Sequence, residues 1–240
     1  MESDIILDVK NISVNLEHEK ILDDVSFSVK RGEALAIIGP NGAGKTVLFR
    51  TLLGLLPYRG QFEWKQGVRI GYVPQKFFVE KSFPITVKEF FLLKSLRFWM
   101  PEVRFIEHLE HELSLVGVGK DILIKPLNEL SGGQLQRILI SWAMLNHPDV
   151  LLFDEPTAGI DVGAEETIYT ILHKLQKERG TTILLISHDL NIVYRYADNV
   201  LCINKAMICH GKPEDILNPK ELSHLYGEGG FYHHPEKEIV

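Results

Sequence analysis

The residues Gly39-Pro40-Asn41-Gly42-Ala43-Gly44-Lys45-Thr46 fit G-x-x-x-x-G-K-[ST] at every fixed position. The types suit one task, holding a chain of phosphates. Glycines let the backbone wrap closely around an oxyanion and aim several N–H groups at it, and a helix N-terminus behind the loop adds partial positive charge. Lys45 can reach the β- and γ-phosphates as a point charge, and the Thr46 hydroxyl can ligate Mg²⁺.

Two further constellations could work on the same ligand. Val150-Leu151-Leu152-Phe153 ends in a carboxylate pair, Asp154 and Glu155. At the C-terminal edge of a buried strand, Asp154 can hold a Mg²⁺ shell while Glu155 polarises the water that attacks the γ-phosphate. Leu130-Ser131-Gly132-Gly133-Gln134 opens a segment with Leu135, Ile138, Leu139 and Trp142 on one stripe. Ser131 reads as an N-cap, and the glycines leave the helix N-terminus open to an anion.

These residues need elements to place them. The phosphate loop lies between the apolar run 34–38 (ALAII) and the helix-like VLFRTLLGLL. The runs 150–153 (VLLF) and 182–186 (TILLI) are also almost wholly apolar. Strands buried on both faces belong to a parallel sheet covered by helices, so the core is expected to be α/β. The opening third alternates instead, as in ILDVKNISVNL and ILDDVSFSV, and predicts antiparallel strands with one wet face. Between Gln75 and Leu130 the periodicity turns helical, which predicts an inserted helical subdomain over 76–129 within one domain of 1–225. Phe77, Phe78, Phe83, Phe90, Phe91, Phe98 and Phe105 fall in that insert beside Trp99. They serve either as its own small core or as an exposed docking patch. Residues 226–240, rich in glycine and charge, read as a flexible tail.

Composition sets the class. The 240 residues are 45% hydrophobic, and 26 basic against 32 acidic side chains give a net charge of −6. With no basic run to follow a phosphate backbone, no nucleic-acid partner is expected. No apolar run approaches the ~20 residues of a spanning helix, so any membrane role is peripheral. The first ten residues interleave charge with apolar positions and carry no signal-peptide pattern. Cys202 and Cys209 lack CxxC spacing and read as two structural thiols of a reducing compartment.

The order of phosphate loop, YVPQ ending in Gln75, LSGGQ, LLFDEP and ISHD resembles the nucleotide-binding subunits of ABC transporters from about residue 5 to 225. The resemblance implies a P-loop NTPase core with a parallel sheet, an N-terminal antiparallel β-layer and the helical insert. It implies ATP with Mg²⁺, Gln75 on the metal and the attacking water, His188 at the γ-phosphate and Asp161 in a loop joining two subunits. It also implies a homodimer, because one chain has one phosphate loop and one LSGGQ, and in the family these meet only between head-to-tail subunits. The partners it implies are integral membrane permease subunits, a metal-binding protein acting on them, and a place at the cytoplasmic face of the cell membrane.

A finer similarity, through residues 69–76, 82–90 and 202–217, is to the ATPases of zinc and manganese importers, with the zinc branch foremost. The chain departs from the family at Leu16, where relatives present an aromatic ring to adenine; nearby His18 is a substitute only if it is not simply a solvated histidine. His233, His234 and Glu236 in the tail, and His108 with His111, offer metal-ligand chemistry, although a solvated charged face accounts for the second pair. The rival readings are the same motor for manganese or an iron chelate, a soluble ABC ATPase without a permease, and a small-molecule kinase, for which LSGGQ has no role.

Overall fold

The three uninterrupted apolar runs become three wholly buried strands: β3 (Ala34–Ile38), β6 (Val150–Asp154) and β7 (Thr182–Ile186). Burying one such Val, Leu or Ile contributes about 1.5–3 kcal/mol, so each strand is fixed by burial on both faces and not by its turns. The computed structural model describes residues 4–78, 80, 84–94, 102–155 and 162–226. Asp161, the tail histidines with Glu236, and Phe83, Phe98 and Trp99 lie outside the described residues.

The chain divides into two compact units. One comprises Met1–Leu7, Val29–Ala34 and Trp64–Ile186, and the other Asp8–Ser28, Leu35–Glu63 and Ser187–Val240.

The second unit holds the phosphate loop. Besides β3 it contains most of β1 (Ile5–Leu16) and β2 (Glu19–Lys30), with β4 (Arg59–Trp64), β8 (Asn199–Asn204) and β9 (Ala206–Gly211). Their order is β4-β1-β2-β9-β8-β3. The two-residue turn between β1 and β2 has positive φ at both Glu17 (46°) and His18 (71°), the twist that matches a tight hairpin. Both strands alternate buried and wet residues but slip where Asn11 and Asp24 turn left-handed, each at φ 53°. Asn and Asp tolerate that conformation, and here the Asn11 amide donates to Asp24 Oδ1 at 2.6 Å. Strands β3 and β8 run parallel, and β8 and β9 antiparallel.

Across that last pair Cys202 stands opposite Cys209, their Cα atoms 4.9 Å apart, and the two are joined as a disulfide. The expectation of two separate thiols is thereby corrected. Seven residues of sequence separation hide a register that places the two residues face to face.

The first unit carries β5 (Ile70–Val73), β6 and β7 in parallel, in the order β7-β6-β5. It also carries α2 (Val87–Lys94), α3 (Glu102–Leu115), α4 (Gly132–Met144) and α5 (Val162–Arg179), with 3-10 turns at Lys120–Ile124 and Leu127–Glu129. The described phenylalanines of the insert differ in burial. Phe90, Phe91 and Phe105 are buried, with Phe90 stacked 5.3 Å from Trp142 of α4, whereas Phe78 is 85% exposed. Lys94 closes α2 against α4, its Nζ donating to the carbonyls of Trp142 (2.7 Å) and Ala143 (3.3 Å). Burial pulls its pKa down from 10.5 to about 8.

Candidate functional site

In the second unit, β3 delivers the chain directly into Gly39. A Cβ there would lie 1.9 Å from the Ile203 carbonyl oxygen, and one on Gly44 would lie 2.6 Å from Leu22 Cδ2. Both positions have positive φ, 154° and 96°, so the loop's path is open to glycine alone. Ala43 donates to Pro40 O at 3.2 Å and accepts from Lys205 N at 3.0 Å, which pins the turn between them. Lys45, 7% exposed, arches back so that Nζ donates to the carbonyls of Gly39 (2.7 Å) and Pro40 (3.0 Å).

Helix α1 (Lys45–Leu52) starts from Gly44 with no side-chain cap. No side-chain cap stands in front of this helix N-terminus, and first-turn N–H groups with the helix dipole behind them suit a phosphate. Thr46 sits half-buried in this first turn, and Asn41 and Gly42 are exposed on the loop's rim.

The same unit places His188 exposed after β7, just ahead of α6 (Leu190–Tyr196). Asp189 caps that helix, its Oδ1 accepting from Asn191 N at 2.8 Å and Ile192 N at 3.3 Å. Ser187 Oγ accepts from Asp189 N at 3.1 Å, and Ser187 N donates to Ile37 O of β3 at 3.3 Å, so the ISHD turn is tied to the loop's own strand. Leu16 is half-buried at the end of β1, and His18 is exposed in the turn beyond it. Sequence reasoning missed Tyr226. It ends α8 (Pro219–Tyr226), which follows the one-turn α7 (Pro213–Ile216) and whose Leu222 and Leu225 pack with Ala36 and Ile38 of β3, and its phenol has a hydrogen bond with the Gly39 backbone. Burial pushes that phenol's pKa up, with the Gly39 bond opposing. A lone tyrosine beside a glycine- and charge-rich tail carries no sequence signal for this contact.

In the first unit, β6 ends at Asp154, 1% exposed, whose Oδ2 accepts from the Tyr72 hydroxyl of β5 at 3.3 Å. The next residue, Glu155, adopts φ 47°, and its N–H donates to Ile186 O at 3.2 Å. A left-handed glutamate costs on the order of 1–3 kcal/mol and persists only where its surroundings over-determine it. Its carboxylate is held too: Gln75 Nε2 donates to Glu155 Oε2 at 2.5 Å. With its nitrogen so engaged, the Gln75 amide has Oε1 left as its ligand atom. The structure thus joins Gln75 and Glu155, 80 residues apart, beside Asp154.

Ser131 caps α4 with a full capping box. Its Oγ accepts from Gln134 N at 3.3 Å, and its N–H donates to Gln134 Oε1 at 3.1 Å. Ser131 and Gly132 are exposed, with Gly133 half-buried, so this helix N-terminus faces outward.

Both units offer hard oxygen donors suited to Mg²⁺: the Thr46 hydroxyl in one, the Asp154 carboxylate and the Gln75 amide oxygen in the other.

A family model described as ABC transporter matches residues 22–158. The zinc import ATP-binding protein ZnuC of Photorhabdus laumondii is 38% identical over 226 residues, which span 94% of this chain and 85% of that protein. Among solved structures, a putative metal-chelate type ABC transporter in an inward-facing conformation superimposes with a TM-score of 0.83 at 27% identity, covering 92% of this chain and 89% of that one. A dimeric bacterial ABC transporter cassette superimposes with a TM-score of 0.75 at 25% identity, covering 86% of this chain and 98% of that one.

Proposed function

This chain belongs to the ABC transporter family, and on that premise we infer that it is the ATP-hydrolysing subunit of an importer that takes up a divalent metal ion, zinc foremost, through a separate membrane permease. One observation carries the chemistry. The strained Glu155 at the end of β6 accepts a hydrogen bond from Gln75, which is the posture of a base held ready for a water molecule.

In this reading the backbone of Gly39–Thr46 holds the phosphates and Lys45 neutralises their charge. Thr46, Gln75 and Asp154 would hold Mg²⁺, which would supply charge neutralisation to the phosphates. Glu155 takes the proton of the attacking water, Gln75 orients that water, and His188 donates to the γ-phosphate. Leu16 covers the adenine face by packing instead of ring stacking. The exposed helix N-terminus at Ser131, Gly132, Gly133 and Gln134 meets the triphosphate of a second copy, with Asp161 in the loop between copies, so two chains close over two ATP molecules. Two helix N-termini from separate chains can clamp one triphosphate from opposite sides. The dimeric cassette that this chain resembles supports that arrangement.

Among the described residues no helix is long and apolar enough to cross a membrane, so in this reading the permease supplies the spanning segments. We place the chain peripherally at the cytoplasmic face. Phe78, Leu93 and Ile124, each more than 70% exposed, supply the apolar surface through which it would grip the permease. The cargo rests on similarity to a zinc import protein. Similarity to a metal-chelate transporter favours a second reading, uptake of a chelated metal.

Growth of a strain lacking this gene separates the two. Under metal limitation, rescue by added zinc salt is the expected result. Rescue only by a ferric chelate or by manganese would move the cargo, and normal growth under every limitation would remove import altogether.

A further inference from the structure

Away from every residue assigned to ATP, the first unit brings two imidazoles and a buried carboxylate together. His108 and Glu112 lie one turn apart on one face of α3. His147 follows α4 in the turn that leads to β6. One ligand atom from each of these three residues lies within 4.8 Å of the other two. The two imidazole rings are 5.3 Å apart and tilted at 64°. The sequence had suggested His108 with His111, but His111 is exposed and the residues brought together are His108, Glu112 and His147.

The surroundings suit a metal. His108 Nε2 stands 3.2 Å from the Leu145 carbonyl, so an imidazole protonated there donates to the carbonyl and presents Nδ1 as the ligand. Glu112 is 1% exposed, and the Arg179 guanidinium stands 3.4–3.5 Å from its two oxygens. That is longer than the ~2.7–2.9 Å of a strong charge-assisted bond, which leaves the carboxylate able to take a closer cation.

We propose that His108, Glu112 and His147 form a binding site for Zn²⁺ or a like divalent transition ion, with water as the fourth ligand. Two nitrogens and one carboxylate oxygen are a zinc donor set, whereas Mg²⁺ and Ca²⁺ prefer oxygen alone. Tetrahedral ligands around zinc sit about 3.4 Å apart, so closure asks roughly 1 Å of inward movement, which exposed His147 can make. A bound ion clips α3 to the segment between α4, which opens at Ser131, and β6, which ends at Glu155. The site stands whether or not zinc is the cargo.

The test uses the full chain carrying His233→Ala and His234→Ala, so that tail histidines do not bind, with Co²⁺ as the spectroscopic probe and Zn²⁺ as competitor. Expected are one equivalent of Co²⁺ with tetrahedral visible absorption, its displacement by Zn²⁺, and a rise of about 5 °C or more in the unfolding midpoint at a hundredfold excess of Zn²⁺ over its Kd. All three are expected to vanish with His147→Gly. His147 has φ 47°, where glycine is relaxed, so this variant keeps its fold and loses only the ligand. An undiminished band in His147→Gly, or no band and no Zn²⁺-dependent shift in the parent, overturns the site.

Discussion

The phosphate loop and the end of β6 serve the same triphosphate in our reading, but they are built differently. Residues Gly39–Gly44, ahead of the Lys45 and Thr46 side chains, act through backbone, fixed by packing that excludes any Cβ at Gly39 or Gly44. At Glu155 a side chain acts, held by a partner 80 positions away. A backbone device cannot be altered without altering the fold around it, whereas a side-chain device can be disabled in place. The contrast teaches where binding and turnover separate.

Glu155→Gln is the sharpest way to pull them apart. The amide keeps the size of the carboxylate and can keep a hydrogen bond to Gln75, but it cannot take a proton. ATP turnover is expected to fall ~10²–10⁴-fold, the usual worth of a general base, with ATP affinity within a factor of about three of the parent. Steady-state hydrolysis beside equilibrium binding of a labelled nucleotide measures both. Near-normal hydrolysis would move the base elsewhere and break the comparison on this side.

Gly39→Ala tests the other side. The added Cβ would sit 1.9 Å from a backbone carbonyl oxygen that no rotamer change can move away. Overpacking together with a strained φ is expected to cost about 3 kcal/mol or more, a drop of roughly 6–12 °C in the unfolding midpoint. ATP binding should be lost in the same variant. Loss of binding with an unchanged midpoint would show that the loop is not held by this contact.

How much of this was legible beforehand follows the same division. The strands at 34–38 and 182–186 appear with the bounds their apolar runs suggest, and β6 extends its run only by Asp154, because burial on both faces leaves a continuous local mark. Ser131 was legible as an N-cap because its type and place ahead of an apolar helical stripe are local, and the structure adds Gln134, three residues on, as the partner that completes a capping box. The Cys202–Cys209 bond was not legible, since its cause is strand register. Nor was the meeting of His108 with His147, which depends on where the chain leaves α4. Among the described phenylalanines of the insert, Phe90, Phe91 and Phe105 lie on helices and are buried while Phe78 lies in the irregular stretch ahead of α2 and is exposed, a difference of element that residue type alone does not reveal.

The smallest expected effect lies where a side chain supports the backbone device. Tyr226→Phe keeps the ring that closes α8 and removes only the hydrogen bond with the Gly39 backbone. A typical bond of this kind is worth about 1 kcal/mol, so a rise in KM for ATP of about fivefold is expected, with kcat within twofold. A fall in kcat with KM unchanged would mean that the phenol acts on the reaction and not on the loop. Constancy of both values and of the unfolding midpoint would mean that the glycine path holds itself, and the loop would then be a backbone device without exception.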